Sequence, residues 1–171
     1  MLLKILASSI NTWDPGLLSG EFPNRLIFGL RTPKTKNLGA DVAGRVEAAG
    51  SGVSQFSPGQ EVWGDLSHRG WGVFAEYVCA PENALALKPT NMAFEEAAAV
   101  PQAGLLAPQS LRVIGRIQAG HKVLINGAGG GVGIFAVQIA KAIGAEDTGI
   151  RKGCIGDRWS LRFRRHSTGV P

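Results

Sequence analysis

The chain has 171 residues, 44% of them hydrophobic, with 24 glycines, nine prolines and two cysteines. That is enough for one domain or two small ones with a buried core, and it excludes a disulfide framework and a four-cysteine zinc lobe. The formal net charge is +5, yet residues 1–149 carry 12 basic and 12 acidic side chains while residues 150–171 carry six basic and one acidic, which describes a basic tail and excludes a generally basic, nucleic-acid-coating protein.

Leu2, Leu3, Ile5 and Leu6 predict a strand within Met1–Ile10, one without a preceding turn or partner. The segment is too short to span a bilayer and lacks the basic leader and cleavage pattern of a signal peptide. No run anywhere reaches transmembrane length, so no membrane partner is expected. With so few cysteines, a reducing, cytoplasmic setting is expected. Asn11-Thr12-Trp13-Asp14-Pro15-Gly16 reads as a turn or a short helical start, and residues 17–37 as an irregular, moderately basic connection.

Leu38–Trp63 is β-like: Val42, Val46 and Ala48 alternate in part with Arg45 and Glu47, as on a half-buried strand. Pro58-Gly59 suits the centre of a type II turn, with Gly59 supplying positive φ. Trp71–Ala80 is expected to be a further strand, with Val73, Ala75, Tyr77 and Cys79 on one face, which makes Cys79 a core residue rather than a reactive thiol. Ala84–Leu87 is a short strand stopped by Pro89. From Asn91 the character changes. Phe94–Val100 predicts an alanine-rich helix ending near Pro101, and Gly104–Ile117 a second helix, with Pro108 tolerable in its first turn.

His121–Glu146, HKVLINGAGGGVGIFAVQIAKAIGAE, is the most informative stretch. The apolar run Val123-Leu124-Ile125 suits a strand buried on both faces. Five glycines follow within seven residues, at 127, 129, 130, 131 and 133. Val132, Phe135, Ala136, Ile139, Ala140 and Ile143 then recur at helical spacing, and Gly144 is a C-cap candidate. Strand, glycine turn and helix in this order suit a dinucleotide pyrophosphate. Glycine lets the backbone approach phosphate, and the helix N-terminus offers unpaired N–H donors. The candidate cofactor-binding residues are Gly127, Ala128, Gly129, Gly130, Gly131, Val132 and Gly133. Their spacing is GxxGxxG rather than GxGxxG, and a ligand-free glycine-rich connection is the alternative.

Asn11–Asp14, GADVAGRVEAAGSGVSQFSPGQEV (residues 39–62), GVFAEYVCAP (72–81), and EEAAAVPQAG (95–104) running on to INGAGGGVG (125–133) together resemble the medium-chain dehydrogenase/reductase superfamily. Within it they are most similar to the zinc-free, zeta-crystallin-like quinone oxidoreductase branch, over residues 3–149. The resemblance implies an α/β chain with a β domain: a partial GroES-like domain over residues 1–90, a helical link and the first βα unit of a Rossmann doubly wound parallel sheet over 91–149, and an atypical basic tail over 150–171. It also implies NADPH or NADH bound between the two domains. The activity implied is hydride transfer to a quinone or an α,β-unsaturated carbonyl, or between an alcohol and a carbonyl.

In the zinc-dependent branch a cysteine ligand matches Asn11, a histidine matches Ala40 and a third ligand falls near Gln102. An amide, a methyl and another amide make no zinc site, so no zinc is expected. His68, His121 and His166 have no ligand spacing. Without a metal a substrate carbonyl must be polarised by hydrogen-bond donors, and Asn11 is the candidate catalytic residue; fixing its own turn is the alternative. Asp41 and Glu47 are read as structural carboxylates.

Against that family pattern the chain is expected to be incomplete at both ends. A threonine is expected where Leu106 stands, and the segment after Gly149, IRKGCIGDRWSLRFRRHSTGVP, holds no buried-strand run. It is read as a solvated tail, neither a nucleotide-reading strand nor a nucleic-acid contact. The strand at 123–126 is then expected to lack a parallel neighbour, and the helix at 132–144, apolar nearly all round, to promote self-association through the exposed Rossmann edge. The competing expectation for the whole chain is a non-catalytic remnant or a GroES-like binding module.

Overall fold

The structure, a computed structural model, describes residues 1–19 and 37–150. The basic tail with Cys154 and His166, and most of the connection at 17–37, lie outside the described residues. The chain divides into two compact units, Met1–Gln102 and Ala103–Pro171.

The first unit is built on a five-stranded antiparallel sheet of order β4-β1-β2-β3-β5, with β1 Leu2–Ser8, β2 Asp41–Ala48, β3 Glu61–Asp65, β4 Tyr77–Cys79 and β5 Leu85–Leu87. β1, expected as a strand with no preceding turn or partner, takes both its partners from later in the chain and lies inside the sheet: Leu3 faces Val46 of β2 on one side and Val78 of β4 on the other. Gly44 permits this closeness, because a Cβ there would collide with the Lys4 carbonyl oxygen. Leu3, Val42, Val46, Val62, Leu66 and Val73, nearly inaccessible to solvent, form the core with Phe56 and Ala80. Each buried Leu, Val or Phe among them contributes about 1.5–3 kcal/mol.

On another side of the sheet, helix α2 (Phe94–Ala98) sets Ala97 and Ala98 against Ala43. Small side chains let its backbone approach the sheet. Asp41–Gly44 is therefore buried at every position, and alternation appears only from Arg45 onward. The Glu96 carboxylate closes the N-terminus of α2 by accepting the Ala93 N–H. The turn at Pro58-Gly59 forms as its sequence predicts, with Gly59 at φ +90° and the Gln60 N–H on the Ser57 carbonyl.

The strand expected over Trp71–Ala80 is confined to Tyr77–Cys79. Gly70, Trp71 and Gly72 all take positive φ, which breaks extended backbone, and Val73 and Phe74 then donate to the carbonyls of Gly39 and Leu38. Cys79 is exposed rather than in the core. β4 is an edge strand, and its residue facing the core, Val78, is the alternate one.

A helix α3 spans Pro101–Pro108 and passes into a π-helical stretch, Gln109–Ile114. Pro108 thus ends α3 instead of sitting in the first turn of a helix. A proline nitrogen has no N–H to donate, and the ladder behind it changes pitch.

In the second unit, β6 (Lys122–Asn126) leads through the glycine turn into α4 (Gly131–Ile143), which Gly144 closes at φ +82°. β7 (Glu146–Ile150) then pairs in parallel with β6, Leu124 facing Thr148 and Ile125 facing Gly149. This corrects the expectation that β6 has no parallel neighbour. Glu146-Asp147-Thr148-Gly149-Ile150 carries no apolar run, and its strand conformation comes from pairing with β6. Ala107, Leu111, Ile125, Ala136, Ala140 and Ala145 form the core of this unit. Val132 and Ile134 stay exposed, so α4 buries one stripe, Gly133, Ala136 and Ala140, rather than its whole circumference.

Candidate functional site

Two constellations carry the candidate residues, one in each unit. In the first unit the chain leaves β1 at Ser8 and turns into the helix α1 (Trp13–Ser19). Asp14, 1% exposed, holds this corner. Its Oδ2 accepts the Asn11 N–H at 2.7 Å and its Oδ1 accepts the Gly39 N–H at 3.1 Å. The Asn11 backbone is thereby tied to the entry of β2, where Asp41 begins the strand.

Asp41 is equally buried, at 1% exposure. Its Oδ2 accepts from Ser9 Oγ at 3.1 Å and from Asn11 Nδ2 at 3.0 Å, and its Oδ1 accepts the Gln102 N–H at 2.9 Å. Burial pushes the Asp41 carboxyl above the usual range; the bonds from Asn11, Gln102 and Ser9 oppose this, and the nearby Asp65 charge adds to it. The three positions that match zinc ligands in the related branch, Asn11, Ala40 and Gln102, are thus gathered around Asp41. They offer an amide, a methyl group and a second amide whose backbone N–H already serves the carboxylate. That donor set does not fit zinc. Among the described residues no group of three His, Cys, Asp or Glu side chains gathers into a metal cluster. Glu47 is exposed on β2 and takes no part.

Ser9 was not legible as a site residue, and Gln102 was legible only as a position near a zinc ligand of the related branch, not as a partner of Asp41. Gln102 lies 61 positions from Asp41 in sequence and acts through its backbone. The Asp41–Asn11 pairing had one signal, a lone carboxylate in the otherwise apolar run at residues 39–44.

In the second unit the glycine turn has the form its sequence predicts. Gly127 takes φ +78°, and its carbonyl accepts the Gly130 N–H at 2.8 Å. Gly130 is the N-cap of α4 in extended conformation. The first α4 bond runs from the Ile134 N–H to the Gly130 carbonyl, so the N–H groups of Gly131, Val132 and Gly133 precede the helical ladder. Gly133 is the spacing-critical glycine: a Cβ there would collide with the Gly127 carbonyl oxygen and the Ala128 backbone. Gly127, Gly129, Gly130 and Gly131 are exposed, Val132 is 37% exposed, and Ala128 packs on the unit's core. A further glycine supports the turn from β7, since a Cβ on Gly149 would lie 2.7 Å from that of Ala128. Gly149 is also the last residue of the stretch that the family resemblance covers.

These features suit a dinucleotide pyrophosphate. The turn exposes glycine backbone, the helix N-terminus supplies N–H groups and a positive dipole end, and the strand ladder fixes the turn from both sides. The architecture is that of an antiparallel β domain followed by a parallel βαβ unit. The model of the alcohol dehydrogenase GroES-like domain matches residues 1–90. A chloroplastic quinone-oxidoreductase homolog of Spinacia oleracea is 39% identical over 146 residues, covering 82% of this chain and 43% of its own length. A trans-enoyl reductase of Aspergillus terreus, pgmF, is 36% identical over 154 residues, covering 86% and 42%. The crystal structure of Escherichia coli quinone oxidoreductase complexed with NADPH superimposes with a TM-score of 0.72 at 32% identity, covering 86% of this chain and 43% of that one. The chain belongs to the alcohol dehydrogenase GroES-like family, within the medium-chain dehydrogenase/reductase superfamily and beside its quinone oxidoreductases. It spans less than half the length of the curated relatives it matches.

Proposed function

We propose that the chain serves NAD(P)H-dependent, zinc-independent reduction of a quinone or an α,β-unsaturated carbonyl. The observation that carries this is the glycine turn, with Gly127 at positive φ and Gly133 packed against it at the start of α4. Backbone N–H groups of Gly131, Val132 and Gly133, with the Cβ-free turn at Gly127–Gly130, hold the pyrophosphate. When bound, the nicotinamide supplies the hydride. Asn11 donates an amide N–H toward the substrate carbonyl oxygen, the atom on which negative charge would develop during the reduction. Asp14 holds the Asn11 backbone in place for this. The relatives support the substrate class through a quinone-oxidoreductase homolog and an enoyl reductase.

An NADPH titration of the 171-residue chain, followed by thermal unfolding, tests the reading. Saturation at about 100 times the dissociation constant adds roughly 2.7 kcal/mol. For a chain of this size that is a rise in Tm of roughly 5–10 °C. The rise should disappear in Gly130→Leu, which blocks the phosphate approach; its extended backbone suits an L-residue, and its Cβ would lie 3.3 Å from the Gly127 carbonyl oxygen, which must yield by a few tenths of an ångström. A cooperative transition indifferent to NADPH leaves the family membership intact and removes the proposed activity.

A further inference from the structure

Resting on the reading of Asn11 as the substrate's hydrogen-bond donor, the geometry points to Asp41 as the positioning residue that decides which end of the Asn11 amide is presented. A side-chain amide has a donor end and an acceptor end of nearly the same shape, and packing distinguishes them poorly. An acceptor-only group distinguishes them absolutely. The Asp41 carboxylate is such a group. Its Oδ2 takes one Nδ2 proton of Asn11 at 3.0 Å. Its other bonds, from Ser9 Oγ and the Gln102 N–H, all arrive from donors. A flipped Asn11 would set Oδ1 against Oδ2, two acceptors with no proton between them, beside a carboxylate that solvent barely reaches.

The carboxylate is itself immobile. Ser9 follows β1, Asp41 begins β2, and Gln102 belongs to α3, so three separate segments fix its two oxygens. The Asn11 backbone is fixed independently by Asp14. Asn11 is therefore held at both ends, with its second Nδ2 proton on the side away from Asp41. Among the described residues no other partner takes that proton. The arrangement supplies a donor whose direction is set before substrate arrives, which is where a hydrogen bond to a developing oxyanion gains its value. Asp41 touches neither substrate nor cofactor in this scheme and acts through Asn11 alone.

The test uses the full chain labelled with nitrogen-15, with the Asn11 side-chain amide assigned by its loss in Asn11→Ala. The expected spectrum has two well-separated Nδ2 protons, the one bound to Asp41 shifted downfield and exchanging slowly with water. Asp41→Asn, which can keep the pocket satisfied, should abolish that separation or move the slow proton, while Glu47→Gln on the exposed face of β2 leaves it unchanged. An Asn11 signature unaltered by Asp41→Asn overturns the proposal. In NADPH-dependent turnover, Asp41→Asn should lower kcat by about tenfold to a hundredfold with little change in KM. In the Asn11→Ala background it should have no further effect; a full additional loss there also overturns it. The arms separate the two readings. A chain without turnover in which Asp41→Asn still reorients Asn11 refutes the activity and keeps the positioning role.

Discussion

Asp41 and Lys88 are buried charges that have been satisfied in different ways. Asp41 lies in a pocket of donors, so removing its carboxylate leaves Ser9 Oγ, Asn11 Nδ2 and the Gln102 N–H without their acceptor. Asp41→Ala is expected to cost about 1–3 kcal/mol or more, read as a lower urea midpoint. Asp41→Asn should cost less and should change the pH profile. The folded-state pKa of Asp41 is raised, so its favourable contribution is full below the ordinary carboxylate range and is lost as pH rises through the folded pKa. The stability advantage of the wild type over Asp41→Asn should therefore shrink as pH rises from acid to neutral; urea titrations at stepped pH read this directly. Lys88, 8% exposed, gives its Nζ protons to the carbonyls of Pro89 and Met92 at 3.0 and 2.6 Å and to Glu61 Oε2 at 3.2 Å, over the Phe94 ring. It pins β5 and the approach to α2 onto β3. Lys88→Met keeps the volume and strands those acceptors, and is expected to lower stability by about 1–3 kcal/mol in the same assay. The partners of these side chains are distant in the chain or are backbone atoms, which carry no sequence signal.

At the scale of elements, the glycine turn separates two meanings of glycine. Gly131 and Gly133 both lie in the first turn of α4. A Cβ on Gly131 would meet only Ala103 Cβ at 3.8 Å, an ordinary contact, whereas one on Gly133 would strike backbone. Helix propensity favours alanine over glycine by about 1 kcal/mol at either position. Gly131→Ala should therefore be neutral or stabilising, while Gly133→Ala should lose about 1–3 kcal/mol through displacement of the turn. Paired thermal melts decide this, and equal effects would contradict the packing described. The glycine spacing was legible because each glycine answers to a local demand of turn or helix start. β7 was not legible, because its ladder with β6 supplies what its own residues lack. The strand expected at Trp71–Ala80 failed for a related reason. Alternation predicts a strand only where φ stays negative, and the positive φ at Gly70, Trp71 and Gly72 lies outside what hydrophobic periodicity can report.

For the whole molecule, the two units differ in how completely their sheets are covered. The first buries Leu3, Val42, Val46 and Val62 in a five-stranded sheet. In the second, among the described residues, a two-stranded sheet leaves Leu124 at 64% and Ile134 of α4 at 52% exposure. Small sheets of this kind are marginal alone. Amide exchange should therefore be slowest in β1–β3 and markedly faster in β6 and α4, and comparable protection would count against this reading. The same exposed side chains predict self-association: sedimentation should show mass rising with concentration, reduced in Leu124→Lys. Acid should act on the first unit through Glu61 and Glu82, whose carboxyls are held below the usual range. Arg45 and Lys88 do this for Glu61, and the Gln55 and Ser54 N–H groups for Glu82. Their contribution is present above the ordinary glutamate pKa and lost as pH falls through the folded value. Glu82→Gln should therefore flatten the acid unfolding curve.

Sequence by itself determined the order of a β domain followed by a βα unit, the turn at Pro58-Gly59, the glycine turn with its helix and C-cap, and the family. Each is written in local pattern, where spacing and backbone freedom act over a few residues. Only the tertiary structure decided that β1 lies inside its sheet, that Cys79 faces outward, that β7 completes a parallel pair, and that Asn11, Ala40 and Gln102 gather around one buried carboxylate. Those outcomes depend on which distant strand supplies a partner and on how far burial raises the cost of an unpaired charge. Both are properties of packed neighbours rather than of the residues in a row.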